Sequence, residues 1–356
     1  MNAWVRGEDP GLHAVTPYGP RGGSSRVRVH EWAGRVPDAV VVHPYAGLDG
    51  AGPGTLLRHS ARVIGAEASL RRLAASRPRR LLLHREASPL SRGRLESALT
   101  RSAAVAVYDF DDALYSDTGD GPCYRRLAPK ADKVAGVMRT VDRVVAGNDT
   151  LANWAADRHR DVVVVPSCVD QDAYRAKSDH SIGGRPRIGW IGSWSTEQHL
   201  LAIAPALRTL GDRLGARLVV VGAPDGDLGV LQDMVERIPW SPAAQHEALA
   251  TFDVGVMPLP DTPYTRGKCG YKLLQYLAAG VPAVGSPVGV NSEILARAGA
   301  PAPGTTDEWA ETLTALIEAP PEHRAALGAR GRQVVVDEYS YDAWHDRWRA
   351  AVFLDS

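Results

Sequence analysis

Cations gathered where a helix begins are a device for holding an anion, and Arg266, Lys268 and Lys272 stand in such a place. The stretch 266–294, RGKCGYKLLQYLAAGVPAVGSPVGVNSEI, runs a glycine-rich basic turn into a short helix, a buried strand and a second glycine turn. Leu273, Leu274, Leu277 and Ala278 recur at helical spacing, Gly280 stands where a C-cap is wanted, and Pro282 prevents continuation. The backbone N–H groups and dipole at the start of this helix favour negative charge, and the added cations turn the place into a phosphate site. A solvated basic turn is the alternative that three charges alone leave open. Residues 187–191 read as a strand running into Gly192-Ser193-Trp194-Ser195-Thr196, where N–H groups and hydroxyls suit a phosphate and also suit an ordinary strand-to-helix turn.

Carboxylates and a histidine supply a second kind of chemistry. The acidic turn Asp109-Phe110-Asp111-Asp112 follows a strand over 104–108, and ligands gather at the carboxyl ends of parallel strands. Asp111 or Asp112 is placed there to orient or deprotonate a hydroxyl. His84-Arg85-Glu86 also ends a strand, over 80–84, and either lines a pocket or lies exposed. The basic helix carrying Arg92, Arg94 and Arg101 reads as a solvated face, with a membrane or phosphate patch as the alternative.

The elements that position these groups alternate. Strands over 13–18, 40–43, 80–84, 104–108, 143–146 and 162–165 are separated by helices, including one over 56–75 and one over 130–139. Ser24 or Ser25 can cap the helix whose apolar stripe is Val29, Trp32, Ala33 and Val36. This is a parallel, doubly wound domain. Residues 175–187, polar and aperiodic, read as a linker. A second α/β domain follows, with strands over 187–191, 217–221 and 253–257 and the segment 235–240. The stripe Tyr341, Trp344, Trp348 and Val352 predicts a final helix that returns to the first domain. The expected division is 1–176, 185–338 and 339–356.

A chain of 356 residues accommodates two such domains, each with its own core, and hence a cleft. No apolar run reaches the roughly 20 residues of a membrane span. The first residues, MNAWVRGEDPG, lack the apolar centre of a secretory signal, so a cytoplasmic location is expected. Cys123, Cys168 and Cys269 have no metal-binding spacing and read as reduced thiols. Basic and acidic residues balance at 41 each, which argues against nucleic acid as the main partner.

VVVVPSCVDQDAY, RIGWIGSWST, RLVVVG, DVGVMPLPDTPYTRGKCGYKLLQYLAAGVPAVGSPVGVNSEI and EYSYDAWHDRW, in this order and spacing, resemble retaining GT-B glycosyltransferases of the group 1 (GT4-like) family. HREASPL, YDFDDALY and RVVAGN extend the resemblance more loosely into the first half. It implies an α/β GT-B fold, two Rossmann-like domains facing a central cleft. The second would hold a nucleotide diphosphate sugar, a UDP-sugar ahead of a GDP-sugar, as co-substrate. The first would hold a small-molecule, lipid or glycan acceptor, with peripheral membrane contact left open. Transfer would proceed with retention and without an obligatory cofactor or metal.

Under this resemblance Lys268 and Lys272 stabilise the departing diphosphate, faced by Ser195 and Thr196 of the turn that begins with Gly192 and Ser193. Ile238 and Trp240 lie by the base, Trp190 packs in the core, and His84, Asp111 or Asp112 stands where the family often carries a histidine near the donor sugar. Asp109 and Asp111 also have the spacing of the metal pair of single-Rossmann GT-A transferases, against which the second Rossmann-like half argues. The family's two glutamates, eight positions apart, are replaced by Gly267 and Gln275. Gln275 can still hydrogen-bond a ribose, but donor-sugar contacts must come from elsewhere, such as Asp261 or the backbone of Lys268, Cys269 and Gly270 before Tyr271. Glu293 either caps a helix or binds donor. A catalytically poor sugar-nucleotide-binding protein and a GT-B-type epimerase are the alternatives.

Overall fold

The computed structural model describes residues 11–48, 52–116, 130–223 and 226–354, which fall into two compact units. One unit takes in the described residues of Met1–Ser167 with Gly267–Cys269 and Trp344–Ser356; the other takes in those of Cys168–Arg266 and Gly270–Ala343.

In the first unit β1 (Leu12–Thr16), β2 (Val40–Pro44), β3 (Arg80–His84), β4 (Val105–Phe110), β5 (Arg143–Ala146) and β6 (Val162–Val164) form a parallel sheet in the order β2-β1-β3-β4-β5-β6. Runs such as Leu81-Leu82-Leu83 do not alternate with polar residues, because helices cover both faces and every side chain of the run is buried. The chain starts inside the sheet, builds one edge, then returns to build the other side. β1 and β3 thus become neighbours, with Val15 opposite Leu83, and the connections leaving them diverge. A crevice at their carboxyl ends is the geometric consequence.

The expected cap does not form. Gly22 is the N-cap of the helical stretch made by Gly23–Ser25, Arg26–His30 and Glu31–Ala33, with no side-chain cap bond. Ser25 Oγ accepts the Tyr18 N–H, and Ser24 turns toward β3 and β4 because stronger partners wait there. The expected helix over 56–75 is two, Pro53–Arg58 and Ser60–Ser76, separated at His59, whose φ of −110° and ψ of 31° leave the helical region. In the final helix, Tyr341–Phe353, Trp348 stacks on Trp32 with ring centroids 4.9 Å apart. Arg80 Nε also donates to the Phe353 carbonyl at 2.9 Å, tying that helix's end to β3.

In the second unit β7 (Arg187–Ile191), β8 (Arg217–Val221), β9 (Val235–Ile238), β10 (Val254–Met257) and β11 (Ala283–Gly285) are parallel in the order β11-β10-β7-β8-β9. Here the winding reverses between β7 and β10. Two strand glycines make room for rings at this point: a Cβ on Gly189 would meet Phe252 at 1.9 Å, and one on Gly255 would meet Tyr276 at 2.5 Å. Tyr276 Oη donates to Val256 O and accepts the Ile191 N–H, at 3.1 and 3.2 Å, pinning helix Tyr271–Ala278 across β10 and β7.

The polar stretch 175–187 is anchored on this unit. Lys177 N–H donates to Ala279 O at 2.9 Å, and the buried Arg324 guanidinium donates twice to His180 O. The change of unit falls at Ser167 and Cys168. Lack of periodicity signals lack of regular structure, not lack of tertiary anchors.

β1 and β2 carry a pH-sensitive pair. His13 Nδ1 lies 2.9 Å from His43 Nε2, and burial, followed by the charge of His13, lowers the His43 pKa from 6.5 to about 4. With the folded-state pKa depressed, the unfolded chain takes up this proton first, so stability is full above pH 6.5 and declines as pH falls toward 4. The expected loss is at most about 3 kcal/mol, less for the partial exposure of His43. His43→Gln should flatten this part of the curve of unfolding midpoint against pH; an unchanged curve would remove His43 as its source.

Candidate functional site

The turn after β7 and the helix after β10 meet at the second sheet's switch point. Gly192 N–H donates to Val221 O at 3.0 Å, and a Cβ on Gly192 would lie 2.7 Å from Lys272 Cε and 2.6 Å from the Trp190 ring. The stem of Lys272 therefore lies across Gly192, with its ammonium 5.3 Å from the Trp190 ring centroid. Trp190 itself is buried. Ser193 and Ser195, both exposed, hold their hydroxyls 2.9 Å apart, and Thr196 Oγ1 donates to Ser193 O. Gly270, with φ of 64°, caps the helix that presents Tyr271 and Lys272; a Cβ there would be strained and would meet Ile294 at 2.5 Å.

The end of β9 joins this group. Gly222 N–H donates to Ile238 O, and a Cβ on Gly222 would lie 2.6 Å from Gly192 O and 3.5 Å from Trp240 Cβ. Trp240 Nε1 donates to Gln245 Oε1 at 3.2 Å, and Gln245 Nε2 donates to Tyr174 Oη at 3.2 Å. Gln275 Nε2 reaches the same phenol oxygen at 3.0 Å. Gln275 is buried, and its amide nitrogen serves this internal network beneath Trp240. Arg266 ends the short turn Pro263–Arg266 and pairs with Asp261 at 2.6 Å, both exposed, so the two groups occupy one another. Glu293 pairs with Arg297 one helical turn on, also at the surface.

Gly267, Lys268 and Cys269 group with the first unit. Asn148 Nδ2 donates to Gly267 O and Lys268 O, at 3.1 and 3.2 Å, while Asn148 Oδ1 caps helix Asp149–Ala156 through Leu151 N–H. A Cβ on Gly267 would meet that of Ala113 at 2.6 Å, so the packing leaves no room for a side chain there. Cys269 Sγ donates to Asp111 O at 3.2 Å, and burial, reinforced by the charge of Asp111, pushes its thiol up to about 12. It is a packed thiol, not a nucleophile. Lys268 Nζ lies 3.4 Å from Asp112 Oδ1. Cys168 is a buried thiol outside any disulfide among the described residues; Cys123 lies outside those residues.

The carboxyl ends of β3 and β4 hold one continuous polar chain. Asp109 Oδ2 lies 2.7 Å from His84 Nδ1, and His84 Nε2 lies 2.8 Å from Ser24 Oγ. Ser24 Oγ donates to Asp111 at 2.8 Å. Arg85 then bridges Asp111 and Asp112, donating from Nε and Nη2 at 2.6 Å each. Behind Asp109, Arg28 binds both its oxygens and donates from Nη1 to Val165 O at 2.7 Å. His84, Asp109 and Arg28 are buried.

Burial would favour a neutral Asp109, yet the charge of Arg28 and the hydrogen bond from His84 hold its carboxyl below the usual range. Asp111 is likewise held well below it, against burial, by Arg85, His84 and Arg28. Such a carboxylate orients a hydroxyl better than it keeps its proton. Because the Asp109 carboxylate only accepts, Nδ1 of His84 carries a proton, and Nε2 faces the Ser24 hydroxyl.

His84, Asp111 and Asp112 are thus brought together, as are Lys272, Gly192, Ile238 and Trp240. Sequence reasoning set Arg85 at a pocket wall and Ser24 at a helix cap, but gave neither its linking part in this chain, nor Arg28 its part as buried counter-charge. A hydroxyl and an arginine after a strand-end glycine loop were the available signals, and both also fit an ordinary helix start.

A solved structure of Anabaena HepE in complex with UDP and glucose matches 95% of this chain and 98% of its own, with a TM-score of 0.69 at 15% identity. Sucrose-phosphate synthase from Thermosynechococcus elongatus matches 93% of this chain and 95% of its own, with 0.65 at 12%. WaaG, a glycosyltransferase involved in lipopolysaccharide biosynthesis, matches 96% and 98%, with 0.62 at 14%. No curated protein matches by sequence. The two parallel-sheet units are those of the GT-B fold. More particularly, the model of the family Glycosyl transferases group 1 matches residues 185–319, within the second unit and the three residues Gly267–Cys269.

Proposed function

We propose that the chain is a retaining hexosyltransferase that moves a sugar from a nucleotide diphosphate sugar, a UDP-sugar ahead of a GDP-sugar, to an acceptor hydroxyl. The observation that carries the donor half is the packing of Lys272 across Gly192 at the switch point of the second sheet, inside the segment that matches the family. There the Gly192–Thr196 turn and the start of helix Tyr271–Ala278 supply N–H donors, hydroxyls and one ammonium to a diphosphate. Ile238 and Trp240 take the base side, and Gln275 acts through Tyr174 rather than on the ribose. In the first unit Ser24, His84, Asp111 and Asp112 receive the acceptor hydroxyl. Lys268 is assigned to the diphosphate through release from Asp112. The HepE complex with UDP-glucose supports the donor class by likeness of fold. A cytoplasmic location is proposed; among the described residues no helix is long and apolar enough to cross a membrane.

Calorimetry of the full chain with UDP and GDP tests the reading directly. UDP should bind more tightly than GDP, and binding of neither would overturn the proposal. The proposed site uses ammonium and backbone donors, so turnover of a donor–acceptor pair should persist in excess chelator. Loss in chelator with recovery on adding a divalent ion would return a metal to the mechanism, with Asp109 and Asp111 as the residues to examine first.

A further inference from the structure

We infer that the acceptor site of the first unit is built for an uncharged, hydroxyl-bearing ring and excludes a phosphorylated or carboxylated one. This inference rests on the transferase reading and names the substrate class it leaves open. A partly open crevice lies at the carboxyl ends of β1 and β3, the switch point of the first sheet, beside the Ser24–His84–Asp111 chain. Its apolar walls come from Pro17, Tyr18, Leu114 and Val134, and its polar wall from Arg85, Glu86, Lys130 and Lys133.

Three cations on that wall look like an anion site until their bonds are followed. Lys133 Nζ donates to Glu86 at 2.9 Å and Ser88 O at 2.6 Å and pairs with Glu96 at 2.9 Å, which uses all three N–H groups of an ammonium. Arg85 faces two carboxylates, Asp111 and Asp112. Lys130 pairs with Glu86 at 3.2 Å. The wall and its direct partners thus set four carboxylates, Glu86, Glu96, Asp111 and Asp112, against three cations. Burial opposes the ionised form of Glu86, but Lys133 and Lys130 hold its carboxyl low. An entering anion meets a wall with no surplus positive charge, and must share Lys130 and Arg85 with the carboxylates already paired to them.

A neutral hydroxyl meets the opposite situation. Each Glu86 oxygen has a second lone pair for an O–H donor, and Arg85 and Lys130 have more N–H groups than their ion pairs use. The Tyr18, Leu114 and Val134 side suits the C–H face of a ring, the pairing of apolar wall and few polar groups that small-molecule sites show.

The test is saturation-transfer NMR on the full chain with methyl glucoside, glucose 6-phosphate and glucuronate at equal concentration, repeated on Glu86→Ala and Leu114→Trp. Leu114→Trp fills the crevice without touching a charge, so it keeps the test valid where Glu86→Ala fails to fold. The glucoside should give a signal at least threefold above either anion, lost in Leu114→Trp. The inference is overturned by an anion signal equal or larger, by no signal from any probe, or by a glucoside signal that Leu114→Trp leaves unchanged. UDP and GDP binding in the same samples separates the two levels: binding of either alongside any of these outcomes sinks the acceptor class alone, and binding of neither sinks the transferase reading beneath it.

Discussion

Lys272→Met should leave the protein folded and binding nucleotide, yet lower turnover about thirty- to thousandfold, a loss of roughly 2–4 kcal/mol from the transition state. Methionine keeps most of the apolar stem that lies across Gly192 and keeps good helix propensity, so the packing of helix Tyr271–Ala278 through Tyr276 is untouched. What disappears is the ammonium. Negative charge on a leaving diphosphate grows as the glycosidic bond breaks, so this charge acts more on the transition state than on bound donor. Donor affinity from calorimetry should therefore weaken less than the single-turnover rate falls. A folded variant with near-normal turnover would make Lys272 a packing residue that rests on Trp190 and nothing more.

What the sequence made legible followed from periodicity and glycine placement. β3, β5 and β7 occupy the residues that their apolar runs predict, because strands buried on both faces carry uninterrupted Leu, Val and Ile. The helix after Gly270 and the turn at Gly192 were legible for the same kind of reason, since only glycine fits those places. Partner choice was not legible. Arg266, Lys268 and Lys272 are near one another in sequence, but Arg266 pairs with Asp261 and Lys268 with Asp112, and these carboxylates are 5 and 156 positions away. Long side chains settle on whichever counter-charge the tertiary fold delivers, and spacing along the chain carries no record of that. Gln275 shows the same limit. The resemblance implies a ribose contact for it, yet its amide nitrogen donates to Tyr174, 101 positions earlier.

Asp109→Asn should destabilise the first unit by about 3–5 kcal/mol, the penalty for leaving a buried charge without its partner. Arg28 is 1% exposed and both oxygens of Asp109 bind it, with the Val165 carbonyl as its one further acceptor among the described residues. Asparagine removes the charge and replaces one oxygen with an amide nitrogen. That nitrogen must face either the Arg28 guanidinium or the His84 Nδ1–H, and both are donors. The chain that reaches Ser24 and Asp111 through His84 loses its inner anchor at the same time. In a thermal melt the first unit's transition should fall by about 6–20 °C, since 1 kcal/mol moves a unit of this size by about 2–4 °C. The second unit shares none of these bonds, so UDP affinity at low temperature should stay near the wild-type value. Replacing both members, Arg28→Met with Asp109→Leu, should recover part of the loss, because no charge is then stranded. A melt shifted by less than about 2 °C in Asp109→Asn would mean that Arg28 does not depend on this carboxylate, and that the His84–Ser24–Asp111 chain stands without it.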